Sequence, residues 1–378
     1  MEKGAGFLLT GLPTSTGDAA ARPWQTLSRR TLAIALAVLP IVALINVGVL
    51  VWSLGGIDLS ERITRPDLLW LAGALVFVPM LSNSLRLALW ARFLGLELGF
   101  FRALKVITGT MVANSVTPSA TGSVPIKVLF LMGEGVSSRR ALTLISFQTA
   151  EDALVLFSLV GICAGVTGFA LFGFLGSDPE LLASAVGTVQ SAGSAVLVAI
   201  AVVLSIGLLI ALGAFGHKVR GFAGRMLMKA RDALGQIAGD WGAVARRGKG
   251  VAVANISLAA GQWMVRFSIA GLVLAAFGVE WHPALYWLLQ YLVQSISAIV
   301  PTPGGAGGAE AGFLLLFATF VDVDTLVPAM STWRLMFFYL PLTGAACVFF
   351  ALTRKRRKLP PSSTPNSMPP GGAVEPAE

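Results

Sequence analysis

Six charged residues, Lys127, Glu151, Asp152, Arg266, Glu310 and Arg334, lie inside otherwise apolar stretches of the chain. A charge in hydrocarbon costs at least about 2.5–3.5 kcal/mol, so each marks either a partner or a task. Three are cations and three are anions. On one reading they are structural ion pairs that hold interrupted helices together, with Asp152 facing its own helix end. On the other they line a polar cavity for a charged headgroup. Lys127, Arg266 and Arg334 would then hold a phosphate, and Glu151 and Glu310 a cationic headgroup or a coupling proton. Arg86 is placed differently. It falls near the end of an apolar run beside Trp90, which predicts an anchor snorkelling to the inner interface. Gln148, Gln290 and Gln294 are polar residues within spans, where hydrogen bonding between helices is expected.

Two interruptions must position these charges. Ala103 to Met132 is broken around Thr117, Pro118, Gly122 and Pro125. Pro283 to Val321 is broken by Pro301, Thr302, Pro303, Gly304, Gly305, Gly307 and Gly308. Pro and Gly clusters end helices. Each break leaves two half-segments too short to cross a bilayer singly. Irregular backbone at membrane depth survives only against protein or a wet cavity. Both regions therefore read as re-entrant helical hairpins. Both carry Thr-Pro with a Gly four residues beyond the Pro, then a charge, Lys127 or Glu310. Oppositely oriented broken hairpins in two halves point to an inverted-repeat architecture with a site near the midplane. Amides at the half-helix starts near Thr121 to Ser123 and Gly304 to Gly308 would favour an anion.

The wider sequence demands a membrane. Of 378 residues, 55% are hydrophobic and 12% charged, with a mean hydropathy of +0.78. A soluble domain carries about 25% charged residues. The expected fold is an all-α polytopic membrane protein with six full spans and the two hairpins. The spans are Thr31 to Leu54, Leu68 to Trp90, Arg140 to Phe172, Gly193 to Phe215, Val251 to Val279 and Leu326 to Leu352. With the N-terminus inside, 23 of the 28 Lys and Arg fall in cytoplasmic segments and only Arg62 and Arg65 outside. This asymmetry predicts both termini in the cytoplasm of an inner-membrane protein. The predicted organisation is a cytoplasmic segment over 1–28, a transmembrane domain over 29–353 and a basic, disordered tail over 354–378. Residues 217–249 read as a basic amphipathic helix, lying either on the inner leaflet or against the bundle floor.

Other functions find little support. The net charge of +9 is spread over short loops, so no nucleic-acid partner is expected. There is no phosphate-binding Gly-x-x-x-x-Gly-Lys-Ser/Thr loop and no Gly-x-Ser-x-Gly elbow. His217 and His282 are assigned to opposite faces, so no metal or cofactor is predicted. Cys163 and Cys347 sit in apolar runs as small hydrophobes. Asp322 and Asp324, in a short outer loop, could bind a cation on a lipid-linked sugar diphosphate, which keeps a membrane enzyme as an alternative. An accessory role beside lipid-synthesis enzymes, and a homo-oligomer, are further expectations.

The segment from Ile299 to Glu310, with Pro301, Pro303, Gly304, Gly305, Gly307 and Gly308, resembles the Pro-x-Pro-Gly-Gly-x-Gly…Glu signature of the lysylphosphatidylglycerol synthase transmembrane family, UPF0104. Thr117-Pro118 through Lys127, Glu151-Asp152, and Trp333-Arg334 with Gly344 look like its other hallmarks. The family often has Gly-Glu before the first basic residue. Here the stretch is Gly122-Ser123-Val124-Pro125-Ile126-Lys127, without a carboxylate, so headgroup preference is not carried over. No soluble aminoacyl-transferase domain is seen. The resemblance thus implies a stand-alone lipid flippase or transporter, not an enzyme. The open substrates are phospholipid, aminoacyl-phospholipid, polyprenyl and hopanoid-type lipids.

Overall fold

The computed structural model describes residues 62–116, 123–167, 216–300, 302 and 304–357. The described residues form helices and no strand. They are α1 (Pro66–Leu75), α2 (Val78–Phe93), α3 (Phe100–Val116), α4 (Ser123–Gly133), α5 (Ser138–Val166), α6 (Gly216–Arg247), α7 (Lys249–Ala276), α8 (Pro283–Ile299), α9 (Gly308–Phe317), α10 (Val323–Arg334) and α11 (Leu340–Arg357). A π-helical turn, Leu335–Tyr339, joins α10 to α11.

Among the described residues, four continuous stretches are long and apolar enough to cross a bilayer: Pro66–Phe93, Ser138–Val166, Lys249–Ala276 and Val323–Arg354. They coincide with four of the six expected spans. The spans at Thr31 to Leu54 and Gly193 to Phe215, the 1–28 segment and the tail beyond Arg357 lie outside the described residues. A 28-residue helix is about 42 Å long, which covers a hydrocarbon core of about 30 Å with room for tilt. Local sequence explains the interruptions in these spans. Pro79 sits in the first turn of α2, where its missing N–H is tolerated and the stretch divides into α1 and α2. Pro341 lies just past the π turn, and there Leu340 N–H reaches back five residues to Leu335 O.

α7 is the central element and packs against α1, α2, α5, α8 and α10. Its C-terminus is pinned where Thr64 and Arg65 N–H both donate to Ala276 O, and its middle where Ser82 Oγ donates to Leu258 O. Two apolar cores result. One gathers α2, α3, α4, α5 and α11 around Leu87, Trp90, Leu131 and Phe147. The other gathers α1, α7, α8, α9 and α10 around Phe313, Phe317, Trp333 and Tyr286, with Phe313 stacked on Trp333 at 4.8 Å. Outward, α5 turns Leu154, Phe157, Ile162 and Val166 to the surface, as a lipid-facing helix requires.

Both expected interruptions are present. α3 and α4, of 17 and 11 residues, pack together. So do α8 and α9, of 17 and 10 residues. Residues 117–122, which include Thr117, Pro118 and Gly122, and Pro301 and Pro303 lie outside the described residues. Gly304, Gly305 and Gly307 adopt left-handed φ angles of 64°, 65° and 84°, which a side-chain-bearing residue resists.

The 217–249 helix forms as α6. Its C-terminal turns dock on α5, where Asp240 pairs with Arg140 at 2.9 Å and accepts from Thr143 Oγ1 at 3.1 Å. Trp241 meets Phe147 edge-on at 4.8 Å. Met228 and Leu234 point away from the bundle. Of the two placements the sequence left open, the bundle floor applies to this end of the helix.

Close packing at α3 gives a direct check. A Cβ at Gly109 would lie 2.8 Å from the rings of both Phe130 and Phe349. Gly109→Val is expected to cost about 1–3 kcal/mol by overpacking, read as a lower melting temperature in detergent. An unchanged melting temperature would contradict the α3–α4–α11 contact.

Candidate functional site

A cavity of about 500 Å³ lies between the two cores. Its wall draws on α2, on both broken pairs, on α7, and on the segment around the π turn. Three cations reach it: Lys127 from α4, Arg266 from α7 and Arg334 from the end of α10. Asn83, Thr110, Asn114, Ser115, Gln294 and Ser297 add polar surface, and no carboxylate lines it among the described residues.

Each cation is held differently. Lys127 Nζ donates to Gln148 Oε1 at 2.7 Å and has no carboxylate within 4 Å among the described residues. Arg334 Nε pairs with Glu310 Oε1 at 2.8 Å, its Nη2 donates to Gly304 O at 2.8 Å, and its guanidinium lies 4.5 Å over the Phe338 ring. Glu310 also accepts from Gly307 N–H at 2.7 Å. The start of α9 is therefore partly satisfied from within, where free amides were expected. Arg266 Nε donates to Gln294 Oε1 at 3.1 Å, and its guanidinium sits 4.5 Å over Phe337. Arg266 has no carboxylate within 4 Å among the described residues.

Arg86 is not an interfacial anchor. Its side chain is fully buried (0% exposed). Nε and Nη2 donate to Glu151 Oε2 at 3.2 and 2.7 Å. Nη1 donates to Asp152 Oδ1 at 2.7 Å, and Nη2 to Gln148 O at 3.2 Å. Trp90 is likewise buried and donates to Glu151 Oε1 at 2.7 Å. Asp152 further accepts from Trp263 Nε1 at 3.1 Å and Gln262 Nε2 at 3.3 Å. This cluster ties α2, α5 and α7 together. The correction has a simple cause: two carboxylates on α5 compensate the guanidinium at depth, so it has no need to reach water.

The structure thus brings Lys127, Arg266 and Arg334 to one cavity and sets Glu310 beside Arg334. Glu151 and Asp152 sit behind the wall, in the Arg86 cluster. Sequence reasoning missed Asn83, Trp90, Gln262 and Trp263. A signal existed in the spacing of Asn83, Arg86 and Trp90, which puts them on one helix face. Gln148 bridges Lys127 to Asn83 O at 3.1 Å and Gln294 holds Arg266. Gln290 is fully buried, with neither amide atom bonded among the described residues. Asp322 and Asp324 stand at the opposite end of α10 from Arg334, about 16 Å along the helix.

Membrane-length helices enclosing a cationic cavity define a multi-pass membrane protein. The chain belongs to the family of the lysylphosphatidylglycerol synthase TM region, whose model matches residues 27–345. A UPF0104 membrane protein of Archaeoglobus fulgidus is 22% identical over 292 residues, which cover 72% of this chain and 83% of that protein. The resemblance carried by the Pro-Gly motif is therefore borne out, and it relates the chain to lipid metabolism.

Losing the cation of the Arg86 cluster strands the buried Glu151 and the half-buried Asp152. Arg86→Met is expected to destabilise the protein by about 3–5 kcal/mol, with partial recovery in Arg86→Met/Glu151→Leu/Asp152→Leu. Thermal unfolding in detergent measures both. A single variant that melts like wild type would show that the cluster carries no structural weight.

Proposed function

We propose that this protein is a lipid translocase of the cytoplasmic membrane, which passes a charged headgroup through the cavity between the two broken helix pairs. The observation that carries the reading is the convergence of Lys127, Arg266 and Arg334 on one cavity with no carboxylate in its lining among the described residues. A phosphate is the ligand such a set suits best, because guanidinium forks and an ammonium form strong charge-assisted bonds to its oxygens. Both broken pairs act as re-entrant hairpins, opening to opposite faces, and both termini lie in the cytoplasm. The basic residues clustered in 217–249 and 354–358 support this orientation. Membership of a family related to lipid metabolism supports lipid as cargo. The protein works as a carrier rather than as a catalyst, since Asp322 and Asp324, the enzyme candidates, stand a helix length from the cavity.

Translocation of tail-labelled phospholipid in reconstituted vesicles tests this. Lys127→Ala and Glu310→Ala are expected to lower the rate about tenfold or more, as loss of a charged hydrogen bond would, while the purified variants remain folded by circular dichroism. If both folded variants move lipid at the wild-type rate, the cavity is not the route.

A further inference from the structure

We propose that the cavity selects a lipid whose phosphodiester headgroup is net anionic and discriminates against the aminoacylated, cationic form of such a lipid. The lipid source rests on the transport reading above; the charge preference rests on how the cavity's own charges are paired.

Arg86 stands against Glu151 and Asp152, and Lys127 is committed to the Gln148 side chain. Arg334 stands against Glu310. Arg266, like Lys127, has no carboxylate within 4 Å among the described residues. Its geometry leaves one edge to offer. Nε is committed to Gln294 and one face lies over Phe337. Nη1 and Nη2 meet no acceptor among the described residues. A guanidinium clamped on an aromatic ring, with its terminal nitrogens open, suits two oxygens of one phosphate.

A cationic headgroup meets the opposite situation. An added ammonium is offset best by a carboxylate, and the lining supplies none among the described residues. Glu310 is engaged by Arg334 and by the Gly307 amide. Asp152 is engaged by Arg86, Trp263 and Gln262. An aminoacyl ammonium would instead face three cations at close range, where the low dielectric strengthens repulsion. The volume of about 500 Å³ is in the range of small-ligand sites and admits a headgroup.

The test uses the full chain in phosphatidylcholine nanodiscs, with phosphatidylglycerol and lysylphosphatidylglycerol competing at equal concentration and bound lipid counted by native mass spectrometry. Phosphatidylglycerol is expected to be retained about tenfold or more over its lysyl form. The preference should vanish in Arg266→Gln and persist in part in Arg266→Lys. Equal retention of the two lipids, or a preference for the lysyl form, would overturn the proposal using wild-type protein alone. An Arg266→Gln protein that keeps the preference would overturn the role of Arg266. Full displacement by equimolar glycerophosphoglycerol would overturn the lipid source in favour of a soluble phosphodiester. Selective binding without translocation in vesicles would defeat the transport reading while leaving the selectivity standing. Translocation without selectivity would do the reverse.

Discussion

The buried guanidinium of Arg86 fixes the arrangement on which the rest depends. Removing an ion from water costs several kcal/mol even after relaxation, and that cost is offset only when every polar atom finds a partner. Arg86 meets the condition with Glu151, Asp152 and the Gln148 carbonyl. Trp90 and Trp263 complete the carboxylates from α2 and α7. Three helices are thereby held in one register. The same register places Gln148 where it can orient Lys127 into the cavity. A structural cluster thus sets the geometry of the site without lining it.

The second constraint is the meeting of two separate cores. Each broken pair packs mainly within its own half of the protein, so neither half fills the space between them. Cations can occupy that space because hydrogen bonds and aromatic faces from both halves hold them. Arg334 is held within one half: it leaves α10 where the π turn begins, then pairs with Glu310 and donates to the Gly304 carbonyl of the α8–α9 pair. The left-handed glycines are required here, since a Cβ at Gly304 would collide with Phe338 and one at Gly305 with Ser297. Gly304-Gly305 is thus a packing solution for a backbone that must pass close beside an arginine and its ring.

Much of this was legible in the sequence, and what was missed has physical causes. The spans declare themselves because hydrocarbon tolerates little besides apolar side chains, and the breaks because Pro and Gly cannot continue a helix. The intramembrane charges stood out for the same reason, and three of them do converge. Pairing was invisible, because one sequence does not say which helix faces which. Arg86 was therefore assigned by its distance from a span end, where Trp90 beside it suggested an interface. Glu151 and Asp152 were marked as intramembrane acids, and their partner was the arginine assigned elsewhere. For α6, amphipathic spacing fixed the helix but not its neighbour, which Trp241 and Asp240 supply.

The central claim is that a lipid headgroup enters the cavity between the two broken helix pairs. An electron cryomicroscopy map of the protein in native-lipid nanodiscs tests it most directly. The account predicts phosphate density within hydrogen-bonding distance of the terminal nitrogens of Arg266, with acyl chains leaving toward the bilayer. Well-resolved side chains around a cavity free of lipid density, with ordered lipid only on the outer surface, would contradict it.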